Sequence, residues 1–227
     1  MSHLLMDENH FSGIISPGIE NLINLIQLDL SANDITGQIP EHIGKLTMLQ
    51  VLNLAGNKLT GCIQSSIGNL TLLSDIILSW NRFEGTIPST MKILRQLRSL
   101  SLSRNSLSGN IPGELFSQLF AVGDCNLADN SFNRTIPLEI GSLINLQKLE
   151  LSGNRFTGSI PGTISACAVL EDLKLQGNLL LVPSSFSDLK LLETLGLANN
   201  NLSRFAPEFL QDFKSPSVLD LSYNHFR

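Results

Sequence analysis

A chain of 227 residues that is 42% hydrophobic and 15% charged has enough apolar material for a large core and lies far from a disordered composition. A formal net charge of -5 without any Lys/Arg cluster leaves no electrostatic footprint for nucleic acid or a membrane surface. No apolar run reaches the ~18 residues of a membrane span, and the opening MSHLLMDENHF lacks the basic and apolar regions of a signal peptide.

Along the chain, the pattern L-x-x-L-x-L-x-x-N-x-(L/F/I) recurs ten times. Its asparagine falls at Asn9, Asn33, Asn57, Asn81, Asn105, Asn130, Asn154, Asn178, Asn200 and Asn224, in steps of 24, 24, 24, 24, 25, 24, 24, 22 and 24 residues. That period and consensus are the signature of leucine-rich repeats, in which each unit supplies a strand and a returning segment. In the second unit Leu28 and Leu30 alternate with Gln27, Asp29 and Ser31, which predicts a strand with one dry and one wet face. Stacked units would set these strands about 4.8 Å apart in a parallel sheet. Each asparagine amide both donates and accepts, so the ten predict a structural ladder bonding their own and the neighbouring turn. No unit can bury its leucine face alone, so stability comes from neighbours.

Three departures follow in chain order. The segment "IPGELFSQLFAV" inserts one residue before Leu119, "GNLLLVPSSFSDL" drops two, and "LSRFAPEFLQDF" puts Arg204 where a glycine is due. Irregular stacking is expected around residues 178–207.

After the asparagine come "ITGQIP", "FEGTIP", "LSGNIP" and "FTGSIP", with "LTGCIQ" and "FNRTIP" as degraded copies, and then "IGKL", "IGNL" or "IGSL". This resembles the plant-specific subclass of leucine-rich repeats. "ISACAVLEDLKLQGN" and "LDLSYNHF" are similar to the membrane-proximal repeats of plant leucine-rich-repeat receptor-like serine/threonine kinases of the immune-receptor-like subfamily. The resemblance covers essentially the whole chain and implies one domain, residues 1–227, of about ten repeats. The fold it implies is an α/β solenoid, a right-handed superhelix with a parallel sheet on its concave face. A second short strand at Gly-x-Ile-Pro and 3-10 or short helical segments on the convex side complete the unit.

The resemblance also implies a peptide or protein ligand, a co-receptor and a place on the extracellular side of the cell membrane. The family's cysteine-paired caps, signal peptide, transmembrane helix and kinase motifs are missing, so the chain reads as a piece of an ectodomain or a truncated gene product. It is not expected to be an enzyme; the kinase activity of the family would reside in a missing domain. A secreted protein similar to polygalacturonase inhibitors is the alternative. Both apolar ends would be open, which predicts end-to-end self-association.

The candidate ligand contacts are the residues between the leucines: Asp75, Trp80, Arg98, Arg104, Asp124, Asp129, Lys148, Glu150, Asp172 and Lys174. Trp80, the one tryptophan, is expected on an exposed strand edge beside Asp75, Arg98 and Arg104 as a partner anchor. An ordinary solvated sheet face is the plainer alternative. Asn69, Asn133 and Asn201 head Asn-x-Ser/Thr triplets and are glycosylation candidates. Cys62, Cys125 and Cys167 form no disulfide or zinc pattern; Cys125 and Cys167 are expected in the core and Cys62 outside. His3, His10, His42 and His225 are scattered, so no metal, catalytic pairing or cofactor is expected.

Overall fold

The computed structural model of the chain describes residues 1–181, 189–204 and 217–226. Ten strands of three residues, from His3–Leu5 and Gln27–Asp29 to Thr194–Gly196 and Val218–Asp220, pair in parallel and in chain order into one sheet. The register advances by a whole repeat each time: Leu28 lies opposite Leu52, Leu52 opposite Ile76, Ile76 opposite Leu100. Successive side chains of a strand take opposite faces, so the middle residue of each triplet points inward. Leu28, Leu52, Ile76, Leu149, Leu173 and Leu195 are fully buried there.

A second set of strands follows the asparagines. Eight of them, from Ser12–Ile14 to Leu179–Leu181, form a parallel sheet, and Ser203–Arg204 pairs separately with His225–Phe226. These strands open soon after the asparagine and run into the start of the Gly-x-Ile-Pro segment, as far as Cys62 and Ser159 in two repeats. Asp34–Gly37, Arg82–Gly85 and Ser106–Gly109 end on the glycine itself. Gly37, Gly85 and Gly109 have φ between +75° and +80°, a region open to glycine, and the strands Lys58–Cys62 and Arg155–Ser159 run one residue past Gly61 and Gly158, at φ +73° and +76°. The Ile that follows is buried, as at Ile39 and Ile87, and the Pro leads into the return segment. In "FNRTIP" Arg134 holds the glycine position at φ +69°, a left-handed conformation that costs a residue with a Cβ about 1–2 kcal/mol.

Return segments are five-residue 3-10 helices, such as Glu41–Lys45, Ser65–Asn69 and Leu138–Ser142. The one inserted residue turns this piece into a six-residue α-helix, Gly113–Gln118, which buries both Leu115 and Phe116. The insertion stops there, because Ser99 still pairs with Asp124 in the ten-stranded sheet. The shortening near residue 180 likewise leaves that sheet whole: Asp172 lies opposite Thr194 and Thr194 opposite Val218. Among the described residues the irregularity expected over 178–207 is confined to the second sheet, whose eight-strand run ends at Leu179–Leu181. The rest of that expectation falls on residues 182–188 and 205–207, outside the described residues.

The asparagines tie the turns together. The Asn57 amide donates to Leu30 O of the preceding repeat at 2.8 Å and to its own Leu54 O and Ala55 O, while its Oδ1 accepts the Ile35 N–H at 3.0 Å. Asn33, Asn81, Asn105, Asn130, Asn154, Asn178, Asn200 and Asn224 repeat the pattern. The Asn9 amide, in the first repeat, donates to Met6 O and Asp7 O of its own turn. Each rung satisfies carbonyls that the turning backbone would otherwise bury unpaired. Beside the rungs runs a column of large side chains, with Phe132 and Phe156 stacked at 6.3 Å.

Cys125 takes a leucine position, and burial pushes its thiol up to about 12; Cys167, also buried, is pushed to about 11. Cys62 is exposed.

Leu102→Ala should cost about 2–5 kcal/mol by urea unfolding, since Leu102 has no exposed surface. Arg134→Gly should raise stability by about 1 kcal/mol in the same assay, by removing left-handed strain. The thiol shifts raise the folded-state pKa, so their contribution is fully present below the ordinary value near 9 and declines as pH climbs towards 12. Melting of Cys125→Ala, compared with the parent from pH 8 to pH 11 (about three pH units), should show a shallower alkaline decline.

Candidate ligand-binding face

Immediately before each asparagine stands a left-handed residue. Glu8, Ala32, Trp80, Arg104, Asp129, Asn199 and Tyr223 have φ between +52° and +57°, and Gly56, Gly153 and Gly177 have φ between +63° and +68°. The kink swings the asparagine amide inward while the backbone keeps bonding the next turn, Ala32 N to Ala55 O and Asn33 N to Gly56 O. Side chains at this position are therefore thrown out beside the sheet.

That relocates Trp80. The strand of its repeat is only Asp75–Ile77, so Trp80 sits on the turn beyond it and not on a strand edge. Asp75 lies five residues upstream, about 16 Å of extended chain away, and Arg98 also sits at the far margin, just ahead of the strand Ser99–Ser101. Neither accompanies the indole. Arg104 does: its guanidinium carbon is 3.8 Å from the ring centroid. Asp129 pairs with the same guanidinium, Oδ2 to Nε at 3.3 Å. Three successive left-handed positions thus carry an indole, a guanidinium and a carboxylate in one stack, with Trp80 57% exposed.

Beyond the stack the row drops to Gly153 and Gly177, and a shallow groove of about 610 Å³ opens over the sheet. Arg104, Asp129, Glu150 and Lys174 line it, with Asn126, Gln176 and Asn199. Lys174 Nζ donates to Glu150 Oε1 at 2.5 Å, and Asn126 donates to Glu150 Oε2 at 2.8 Å. The hydrogen bond to Glu150 raises the Lys174 ammonium above its ordinary range. Asp124, Lys148 and Asp172 lie opposite one another on the neighbouring row, outside the groove lining.

Reading the sequence by charge and bulk missed the floor. Two residues before the asparagines from Asn33 to Asn224 stand Ser31, Ala55, Ser79, Ser103, Ala128, Ser152, Gln176, Ala198 and Ser222. Apart from Gln176 these side chains are small and keep the groove open, and their periodicity was available in the spacing. Also missed was a polar network at the N-terminal end: Asp29 accepts from Ser31 N, Ser31 Oγ and Asn53. In all, the two outward strand positions and the left-handed position carry Glu8, Asp29, Asp75, Asp124, Asp129, Glu150, Asp172 and Asp220, against Arg104, Lys148 and Lys174.

The Leucine Rich Repeat family profile matches residues 24–46, 48–70, 96–118 and 145–167. No curated protein sequence matches the chain. Among solved structures, a TDR receptor superposes with a TM-score of 0.95 at 33% identity, covering 100% of this chain and 39% of its own. The Arabidopsis receptor kinase HAESA, in complex with the peptide hormone IDA and the co-receptor SERK1, gives 0.78 at 28% identity, covering 99% of this chain and 42% of its own. A plant ice-binding protein gives 0.86 at 27% identity, covering 98% and 72%. The chain spans about two fifths of the length of the two receptor chains. No helix among the described residues is long and apolar enough to cross a membrane. The chain is a leucine-rich-repeat solenoid with the fold of plant receptor-kinase ectodomains.

Proposed function

We propose that the chain is a peptide- or protein-binding stretch of a plant receptor-like-kinase ectodomain, reading its ligand on the solvent face of the ten-stranded sheet. The observation that carries this reading is the groove in which Arg104, Asp129, Glu150 and Lys174 converge beside the exposed Trp80. It unites a rigid aromatic anchor with oriented polar groups, the mixture from which binding hot spots are built. The HAESA complex supports it, since that protein of the same fold binds a peptide hormone and a co-receptor. A fold shared with an ice-binding protein argues for resting the reading on these side chains.

In this reading the chain binds and does not catalyse, and it faces the extracellular side. Asn69 ends a 3-10 helix, Asn133 lies in the second sheet and Asn201 is exposed beyond the last rung but one. Glycans on them would leave the groove open; mass spectrometry of secreted material finding all three unmodified would remove that part.

Random-peptide display against the intact chain should select binders that compete with one another. Arg104→Ala should weaken them about tenfold or more, as expected of a hot spot, with Lys92→Ala on the opposite side neutral. Binders indifferent to Arg104 would refute the assignment of the groove. Trp80→Gly should reduce binding while leaving the melting temperature level or higher, because Gly fits φ +57° without strain.

A further inference from the structure

The charge of this protein is distributed unevenly. The whole chain has 20 carboxylates and 15 Lys or Arg. Eight of those carboxylates and three of the cations occupy the two outward strand positions and the left-handed position of the ten-stranded sheet, a difference of five. The rest of the chain therefore carries twelve of each sign and sums to zero. The entire net charge of -5 resides on the candidate ligand-binding face.

Little of it is neutralised in place. Among the described residues, the face's ion pairs are Arg104 with Asp129 and Lys174 with Glu150. Asp75 lies opposite Val51 and Ser99, with no cation across from it. Asp29 lies opposite Leu5 and Asn53, and Asp124 and Asp172 share the single Lys148 between them. Residues just ahead of the strands add Glu171 and Glu193 against Arg98, which leaves the sign unchanged. The one large aromatic ring at the groove already carries a guanidinium on one face, so its chemistry also suits cations.

Resting on the peptide-binding reading, we infer that the ligand of this face is a basic peptide segment, whose Lys or Arg side chains meet the unpaired carboxylates. Like-signed carboxylates spread along parallel strands sum their potentials over the face, drawing a cationic partner in and turning an acidic one away. The attraction is screened by salt, with a range near 10 Å at about 0.1 M.

The test is a random dodecapeptide display on the intact chain, followed by titration of selected peptides with the emission of Trp80, the only tryptophan, as readout. Selected peptides should carry net positive charge, and their affinity should fall about tenfold or more between about 50 and 500 mM NaCl. Asp75→Asn combined with Asp124→Asn should weaken them severalfold, whereas Glu41→Gln, on a return helix, should leave them unchanged. Selection of neutral or acidic peptides, or equal weakening by Glu41→Gln, overturns the inference while the peptide-binding reading stands. Selection of no peptide at all overturns both.

Discussion

The rest of the molecule depends on one contact, the buried asparagine amide that bonds backbone of two consecutive turns at once. A solenoid must turn its chain inward once per repeat, and each turn aims carbonyls and an N–H into a dry interior. Asn105 answers this by donating to Leu78 O, Leu102 O and Ser103 O and by accepting from Phe83 N. A leucine there would leave the Phe83 N–H without its partner, at roughly 1–3 kcal/mol, and would strip one of two donors from each carbonyl, since Asn81 still reaches Leu78 O, Asn130 still reaches Leu102 O and Trp80 N still reaches Ser103 O. The contact also dictates the left-handed residue before it, since only that kink presents the amide to the interior. Core and binding face are thus two consequences of the same turn: the asparagine goes in, and its predecessor goes out.

The period made the sheet, its inward leucines and the asparagine positions legible in the sequence, because each is a requirement repeated ten times in register. The left-handed row was not legible in the same way. It carries Glu, Ala, Gly, Trp, Arg, Asp, Asn and Tyr, and a backbone constraint that tolerates so many residues leaves little compositional trace. Only the coincidence of Gly56, Gly153, Gly177 and Asn199 in one register hinted at it. Placing Trp80 on a strand edge was the direct result, as was grouping it with Asp75 and Arg98. Which cation meets which anion depends on side-chain reach across strands, and spacing does not encode that. Arg104 beside Trp80 was legible from the register of the repeats, whereas Lys174 against Glu150 became visible only with geometry.

Tolerance of length change has a similar origin. One extra residue becomes a six-residue α-helix with Phe116 buried beneath it, and the sheet register beside it does not move. Most of the second strands run to a left-handed position, a glycine in most repeats, and end on it or one residue past it. Arg134 shows that the position survives a side chain, at the expense of strain. Stability in this protein is local and additive along the stack, while the character of its surface varies freely from rung to rung.

The rungs have a direction. Every asparagine from Asn33 to Asn224 reaches back to groups of the repeat before it, and none in this pattern reaches forward. During synthesis the acceptors for each new rung are therefore already in place when its asparagine leaves the ribosome. The stack can grow in the order in which it is translated, each repeat latching onto a finished surface, without waiting for residues still to come.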